Sequence, residues 1–146
     1  MGNSVRDAMT EDPRSIDTSA SVVEAARLMR DAHIGSLPIT DGDKLVGMIT
    51  DRDITTRVVA EAADPTTTPV GTVYSQDLIS VEPDRDLDEA LQLMARYQVR
   101  RLPVVEDGRL VGIVAQADIA LTLREDEQKT GELVEAISEP SEGERR

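Results

Sequence analysis

Cysteine is absent from the 146 residues, which excludes disulfides, thiolate metal sites and thiol nucleophiles. Phenylalanine and tryptophan are missing too, and tyrosine occurs only at Tyr74 and Tyr97. The core must therefore be aliphatic, and the aromatic platforms on which single-stranded nucleic acid stacks are lacking. Positive charge is in deficit: 16 Lys and Arg against 29 Asp and Glu give a net charge of −13. That field opposes nonspecific contact with nucleic acid or an anionic membrane, so an anionic ligand needs a local basic site that outweighs it. No run approaches the roughly 18 apolar residues of a membrane span, and Met1–Asp7 has no apolar signal core. A cytoplasmic location is the default expectation. The hydrophobic fraction of 39% and charged fraction of 31% suit one globular domain. At this length a core is possible without metal or disulfide support.

What the chain does have is a repeat. A shift of 65 lays Val5–Ile54 on Val70–Ile119 without a gap, and 14 of those 50 pairs are identical. Among them are Leu37/Leu102, Pro38/Pro103, Gly47/Gly112 and Asp53/Asp118. Each unit starts with a short β segment, Ser15–Asp17 or Ser80–Glu82. A helix follows, opened by a capping-box pattern at Ser21–Glu24 or Asp86–Glu89. Val22, Ala25, Ala26 and Met29, like Leu87, Ala90, Leu91 and Met94, recur at helical spacing and predict one apolar face. Ile34–Thr40 and Leu45–Ile49, with their second copies Val99–Val105 and Leu110–Val114, predict hairpins turned by Asp and Gly. A second helix is expected from Asp51 and from Gln116.

The predicted fold is α+β (mixed α/β), two pseudo-symmetric β-α-β-β-α repeats packed sheet to sheet. Repeat one covers about 5–62 and repeat two about 70–124, making a module over 1–125. Ala60–Thr72, with Asp64-Pro65 and Pro69, reads as the connector. Residues 126–146 are expected to form a C-terminal helix and a flexible acidic tail. One repeat exposes faces it cannot cover alone, so two copies should close over shared clefts.

Two segments recur in both halves at fixed spacing. They are His33-Ile-Gly-Ser-Leu-Pro-Ile39 with Leu45-Val-Gly-Met-Ile-Thr-Asp-Arg-Asp53, and Gln98-Val-Arg-Arg-Leu-Pro-Val104 with Leu110-Val-Gly-Ile-Val-Ala-Gln-Ala-Asp118. In these the chain resembles the cystathionine-β-synthase (CBS) domain pair, or Bateman module, over about residues 5–120. The resemblance implies a stand-alone regulatory module that senses an adenosine-containing ligand of the AMP, ADP or ATP class, or another adenosyl compound. It further implies a module that needs no cofactor, associates as a homodimer and acts on a separate, unidentified protein.

By that resemblance Asp53 would accept from the ribose diol, and Thr50 would contact ribose or phosphate. Asp118 would repeat the role without a neighbouring hydroxyl, because Ala115 stands where Thr50 does. Arg100 and Arg101 lie where the family often contacts phosphate. In the first copy Gly35 and Ser36 replace them, so Arg52 or a residue reaching across would serve. Adenine would sit among Ile16, Pro38 and Ile39 in one half, and Val81, Pro103 and Val104 in the other. Each assignment has a plainer rival. Thr50–Asp53 is itself a capping box, Arg100 and Arg101 could pair with surface acids, and the aliphatic residues could be simple core.

His33 reads as a surface or helix C-cap residue, Asp41-Gly-Asp43 as a plain turn, and Met29 and Met94 as core. A second reading of the whole is a degenerate pair, a homodimeric protein-interaction module that binds no nucleotide. An enzyme is disfavoured, because no phosphate loop, nucleophile elbow or His-rich zinc pattern is present.

Overall fold

The computed structural model describes residues 3–75 and 78–135. In chain order the elements are α1 (Val5–Ala8), β1 (Thr10–Glu11), β2 (Ile16–Asp17), α2 (Val22–Ala32), β3 (Ser36–Asp41), β4 (Lys44–Thr50) and α3 (Asp51–Ile54). A π-helical turn over Thr55–Val59 extends α3, and a short 3-10 turn spans Val70–Thr72. Then come α4 (Leu87–Tyr97), β5 (Arg101–Glu106), β6 (Arg109–Ala115) and α5 (Gln116–Glu135). The fold is α+β and repeats itself, as the 65-residue register predicts.

Each half is built on an antiparallel hairpin. β3 pairs with β4 and β5 with β6, in the same register, down to a shift after Ile39 and after Val104. Both hairpins turn in two residues. Gly42 takes φ 66° in the first; Asp107 and Gly108 take φ 54° and 80° in the second, the left-handed pair of a type I′ turn. β2 adds parallel to β3, whereas in the second half the predicted segment reduces to a single bridge between Val81 and Val104. The hairpins of the two halves meet at their turns. Lys44 pairs with Arg109, and the N–H groups of Leu45 and Leu110 donate across to Gly108 and Asp43 at 3.1 and 3.0 Å.

The amphipathic helices α2 and α4 bury the predicted faces: Val22, Ala25 and Met29 in one, Leu87, Ala90 and Met94 in the other. Each ends in a left-handed residue with φ 56°, His33 and its repeat partner Gln98. His33 is thus an exposed C-cap. The N-terminal expectation holds for Ser21, whose hydroxyl accepts from the Glu24 N–H at 3.3 Å. Asp86 makes no side-chain cap. The Leu87 N–H instead donates to the Asn3 carbonyl (3.0 Å), as the Val22 N–H does to Thr68 (2.9 Å). A first-turn donor thus finds its acceptor on another part of the chain.

That other part reveals an exchange between halves. One core gathers Leu87, Ala90, Met94, Leu102, Val104, Val114 and Ile119 with Val5 and Ala8, the first residues of repeat one. The other gathers Val22, Ala25, Met29, Leu37, Ile39 and Ile49 with Val70 and Val73, the first residues of repeat two. The backbone follows suit. Val5 N–H donates to Arg85 (2.8 Å) and Arg6 N–H to Pro83 (2.9 Å), while Val70 N–H donates to Ala20 (2.8 Å) and Gly71 N–H to Thr18 (3.0 Å). β1 also pairs with β6, and Ser75 bridges Met48 in the equivalent place. Each repeat therefore lends its start to the other's core.

One further difference from the sequence reading stands out. The helix from Gln116 runs unbroken to Glu135, across the boundary near 125 where a separate C-terminal helix is expected. Nearly every residue from Ile119 to Gln128 is an ordinary or good helix former, so nothing stops it there. The first repeat's equivalent helix ends at Ala60 after its π turn. The expected tail beyond 135 lies outside the described residues.

Candidate functional site

The exchange leaves two clefts between the halves, and their walls are related by the repeat. Cleft one, about 620 Å³, lies between the start of α3 (Thr50, Asp51, Arg52) and the entry to β5 (Arg100, Arg101, Pro103). Cleft two, about 370 Å³, lies between the start of α5 (Ala115, Asp118) and Ser36 and Pro38 of β3, with Arg14 and Arg101 on its rim. Both volumes fall within the roughly 300–1,000 Å³ usual for small-molecule sites. Met48 and Ile113 take equivalent places in them, as do Val99 and Ile34.

What the helix starts offer differs sharply. At α3 the capping box is closed: Asp53 Oδ2 accepts from the Thr50 N–H at 2.9 Å, and Thr50 Oγ1 accepts from the Asp53 N–H at 3.0 Å. The other Asp53 oxygen, Oδ1, stands 3.6 Å from Arg57 Nε. Asp53 is 7% exposed and does not line cleft one. At α5 Ala115 supplies no hydroxyl. Among the described residues the Asp118 carboxylate has no hydrogen bond or ion pair, and it lines cleft two. In each half one backbone link sets the angle: Asp51 N–H donates to Gly35 (2.9 Å) and Gln116 N–H to Arg100 (2.8 Å). These carbonyls consume a helix-start donor that a phosphate could otherwise use.

The basic groups divide likewise. Arg52 and Arg100 line cleft one, Arg14 lines cleft two and Arg101 lines both. Arg52, Arg100 and Arg101 are exposed and, among the described residues, form no ion pair, so pairing with surface acids does not occupy them. Arg14 feels a competitor: Arg30 chiefly, and Arg14 more weakly, hold the Asp31 carboxyl below its ordinary value.

Of the expected adenine contacts, Pro38 and Pro103 line the clefts. Ile39 and Val104 are fully buried, and Ile16 and Val81 are 5% exposed. All four belong to the hydrophobic cores, where the pleat turns them away from the interface. Val81 edges a separate surface depression beside Glu82 and Arg85. For Ile16, Ile39, Val81 and Val104 as side-chain contacts, the core reading replaces the pocket reading. Residues unforeseen from sequence are Arg14, Ile34, Met48, Ile79 and Val99. The strand alternation could have flagged Met48, which lies two residues before Thr50 and so on the same face. No sequence signal marks Arg14, because its repeat partner is Ile79. Among the described residues no group of three or more His, Cys, Asp or Glu is placed to hold a metal, and no helix is long and apolar enough to cross a membrane.

Two interlocked repeats closing over twin clefts define the class of module: a tandem pair of small α+β domains. The CBS domain model matches residues 5–60 and 70–125, and the chain belongs to that family as a CBS pair. It is 43% identical to the CBS domain-containing protein YhcV of Bacillus subtilis over 119 residues, 82% of this chain and 84% of that one. Hypoxic response protein 1 of Mycobacterium tuberculosis is 39% identical over 136 residues, 92% of this chain and 94% of the relative. The solved structure of that relative, with two coordinated zinc ions, superposes with a TM-score of 0.76 over 82% of this chain and 98% of its own. The CBS pair of MJ0100, solved with 5′-methylthioadenosine and S-adenosyl-L-methionine, gives 0.72 at 30% identity over 84% and 97% of the two chains. CBSX2 in complex with AMP gives 0.74 at 26% identity over 86% and 99%.

Proposed function

We propose that this CBS pair is a regulatory module that binds an adenosine-containing ligand of the AMP, ADP or ATP class in the clefts between its halves. The observation that carries the reading is cleft two, where an uncommitted carboxylate, Asp118, stands among two arginines, Arg14 and Arg101, and the apolar Pro38 and Ile34. A carboxylate offers acceptors to a ribose diol, guanidinium groups suit phosphate, and the aliphatic wall suits a base. The adenosine compounds bound by MJ0100 and CBSX2 support the same class. Thr50, Arg52 and Arg100 serve phosphate or ribose in cleft one, with Asp53 bracing Thr50 from behind.

The module performs no catalysis. It sits in the cytoplasm, associates with a second copy and passes occupancy to a separate protein. The exposed apolar side chains of Val59, Tyr97 and Leu121 support self-association. Signalling requires that the ligand prefer one of two arrangements of the halves or subunits, since equal affinity for both moves no equilibrium. Thermal denaturation with AMP, ADP, ATP and S-adenosylmethionine tests the reading: a ligand at 100 times its dissociation constant stabilises by about 2.7 kcal/mol. No shift with any of them leaves the second reading, an interaction module without nucleotide. The closed box around Asp53 and the net charge of −13 favour that alternative.

A further inference from the structure

Ser36 and Arg101 are one repeat apart, and each lines both clefts. They therefore flank the pseudo-twofold axis that relates the halves. A strictly symmetric module would carry the same residue in both places. This chain has a hydroxyl on one side and a guanidinium on the other, so one positive charge stands between two cavities.

Resting on the nucleotide reading above, we infer that Arg101 is a shared anion contact that makes the two clefts compete for anionic ligands. Each cleft has basic groups of its own: Arg52 and Arg100 in the first, Arg14 in the second. Arg101 is the one both can use. It is exposed and, among the described residues, held by no carboxylate, so its side chain is free to turn either way. A guanidinium binds phosphate best through paired donors of one planar fork, which aims the fork into one cleft. An anion already seated there also repels a second anion across the axis, and the net charge of −13 offers no compensation. A neutral nucleoside uses neither the fork nor the charge, so the clefts ignore one another. The coupling is reciprocal, whichever cleft fills first.

Calorimetry on the full chain tests this with AMP and with adenosine. Met48→Trp blocks cleft one and Ile113→Trp blocks cleft two, so each open cleft is measured singly. In the unmodified chain the product of the two stepwise AMP association constants should fall about tenfold below the product of the single-cleft constants, within the usual span of allosteric coupling. For adenosine the two products should agree. In Arg101→Ser, which matches the axis to Ser36, they should come much closer for AMP. One AMP but two adenosines per chain is the extreme form of the same result. Equal products for AMP in the unmodified chain, or a stoichiometry of one for both ligands, overturn the shared contact and leave the nucleotide reading standing. No binding of any adenosine compound overturns both. Should the tryptophan variants fail to fold, the ratio of the stepwise AMP constants decides. It must move toward the adenosine ratio in Arg101→Ser, and an unmoved ratio refutes the inference.

Discussion

The two helix starts carry the same acid and use it differently. In the first half Thr50 closes a capping box, and the carboxylate of Asp53 is drawn inward to the Thr50 N–H and Arg57. In the second half Ala115 offers nothing to close, and Asp118 stays at the cleft wall. One hydroxyl thus sorts one carboxylate into structure and its repeat partner into a place where a ligand can use it. The sequence reading gives both acids the same ribose role, and the structure sets them in different surroundings. A hydroxyl beside an acid completes a ligand motif on paper, but in the fold it competes for that acid.

The comparison breaks most visibly in the cores. Leu37→Ala and Leu102→Ala remove fully buried, repeat-related side chains, and each should cost about 2–5 kcal/mol. Because each core contains the start of the other repeat, both variants should unfold in one transition by denaturant. Two separate transitions would show that the halves are independent. Next in size is the contrast between the acids. Asp118→Ala should weaken AMP binding by a charge-assisted hydrogen bond, about 1.5–3 kcal/mol or tenfold and more, with the melting temperature nearly unchanged. Asp53→Ala should do the reverse, losing about 1 kcal/mol of stability with its cap and altering affinity less. Equal binding losses in paired calorimetry and melting would erase the distinction.

The glycines beneath the exchanged segments give a narrower contrast. A methyl at Gly47 would overlap the ring of Tyr74, while at Gly112 it would stand 2.9 Å from the Thr10 carbonyl oxygen and 2.8 Å from the Met9 sulfur. A side chain can turn away more readily than the backbone of β1. Gly112→Ala should therefore cost the upper part of the roughly 1–3 kcal/mol range for overpacking, and Gly47→Ala the lower part, in chemical denaturation. The smallest and sharpest test is Ala115→Thr. It should close the missing box, gain about 1 kcal/mol of stability, and reduce AMP affinity in cleft two by drawing Asp118 inward. A stabilised variant with undiminished binding would mean that the cap does not govern the acid.

Much of this was legible in the residues, because periodicity and turn chemistry act over short distances. The helix faces, the hairpins turned by Asp and Gly, and the C-cap at His33 follow from local rules, and so do Pro38, Pro103, Thr50 and the arginines near the clefts. The aliphatic contacts were not legible. Ile16, Ile39, Val81 and Val104 belong to strand segments whose two faces are both buried in some measure, so alternation alone does not say which face meets the cleft. Arg14 was invisible for a related reason: nothing local distinguishes it from any exposed arginine.

The order of elements, the doubling and the aliphatic character of both cores were set by the sequence itself, since they rest on composition, spacing and a gapless register. Only the tertiary structure decided which repeat supplies the first residues of each core, which carboxylate remains available, and that Arg101 faces two cavities at once. Those outcomes depend on contacts between residues far apart in the chain, where the choice among partners is made by packing and by competition for hydrogen bonds.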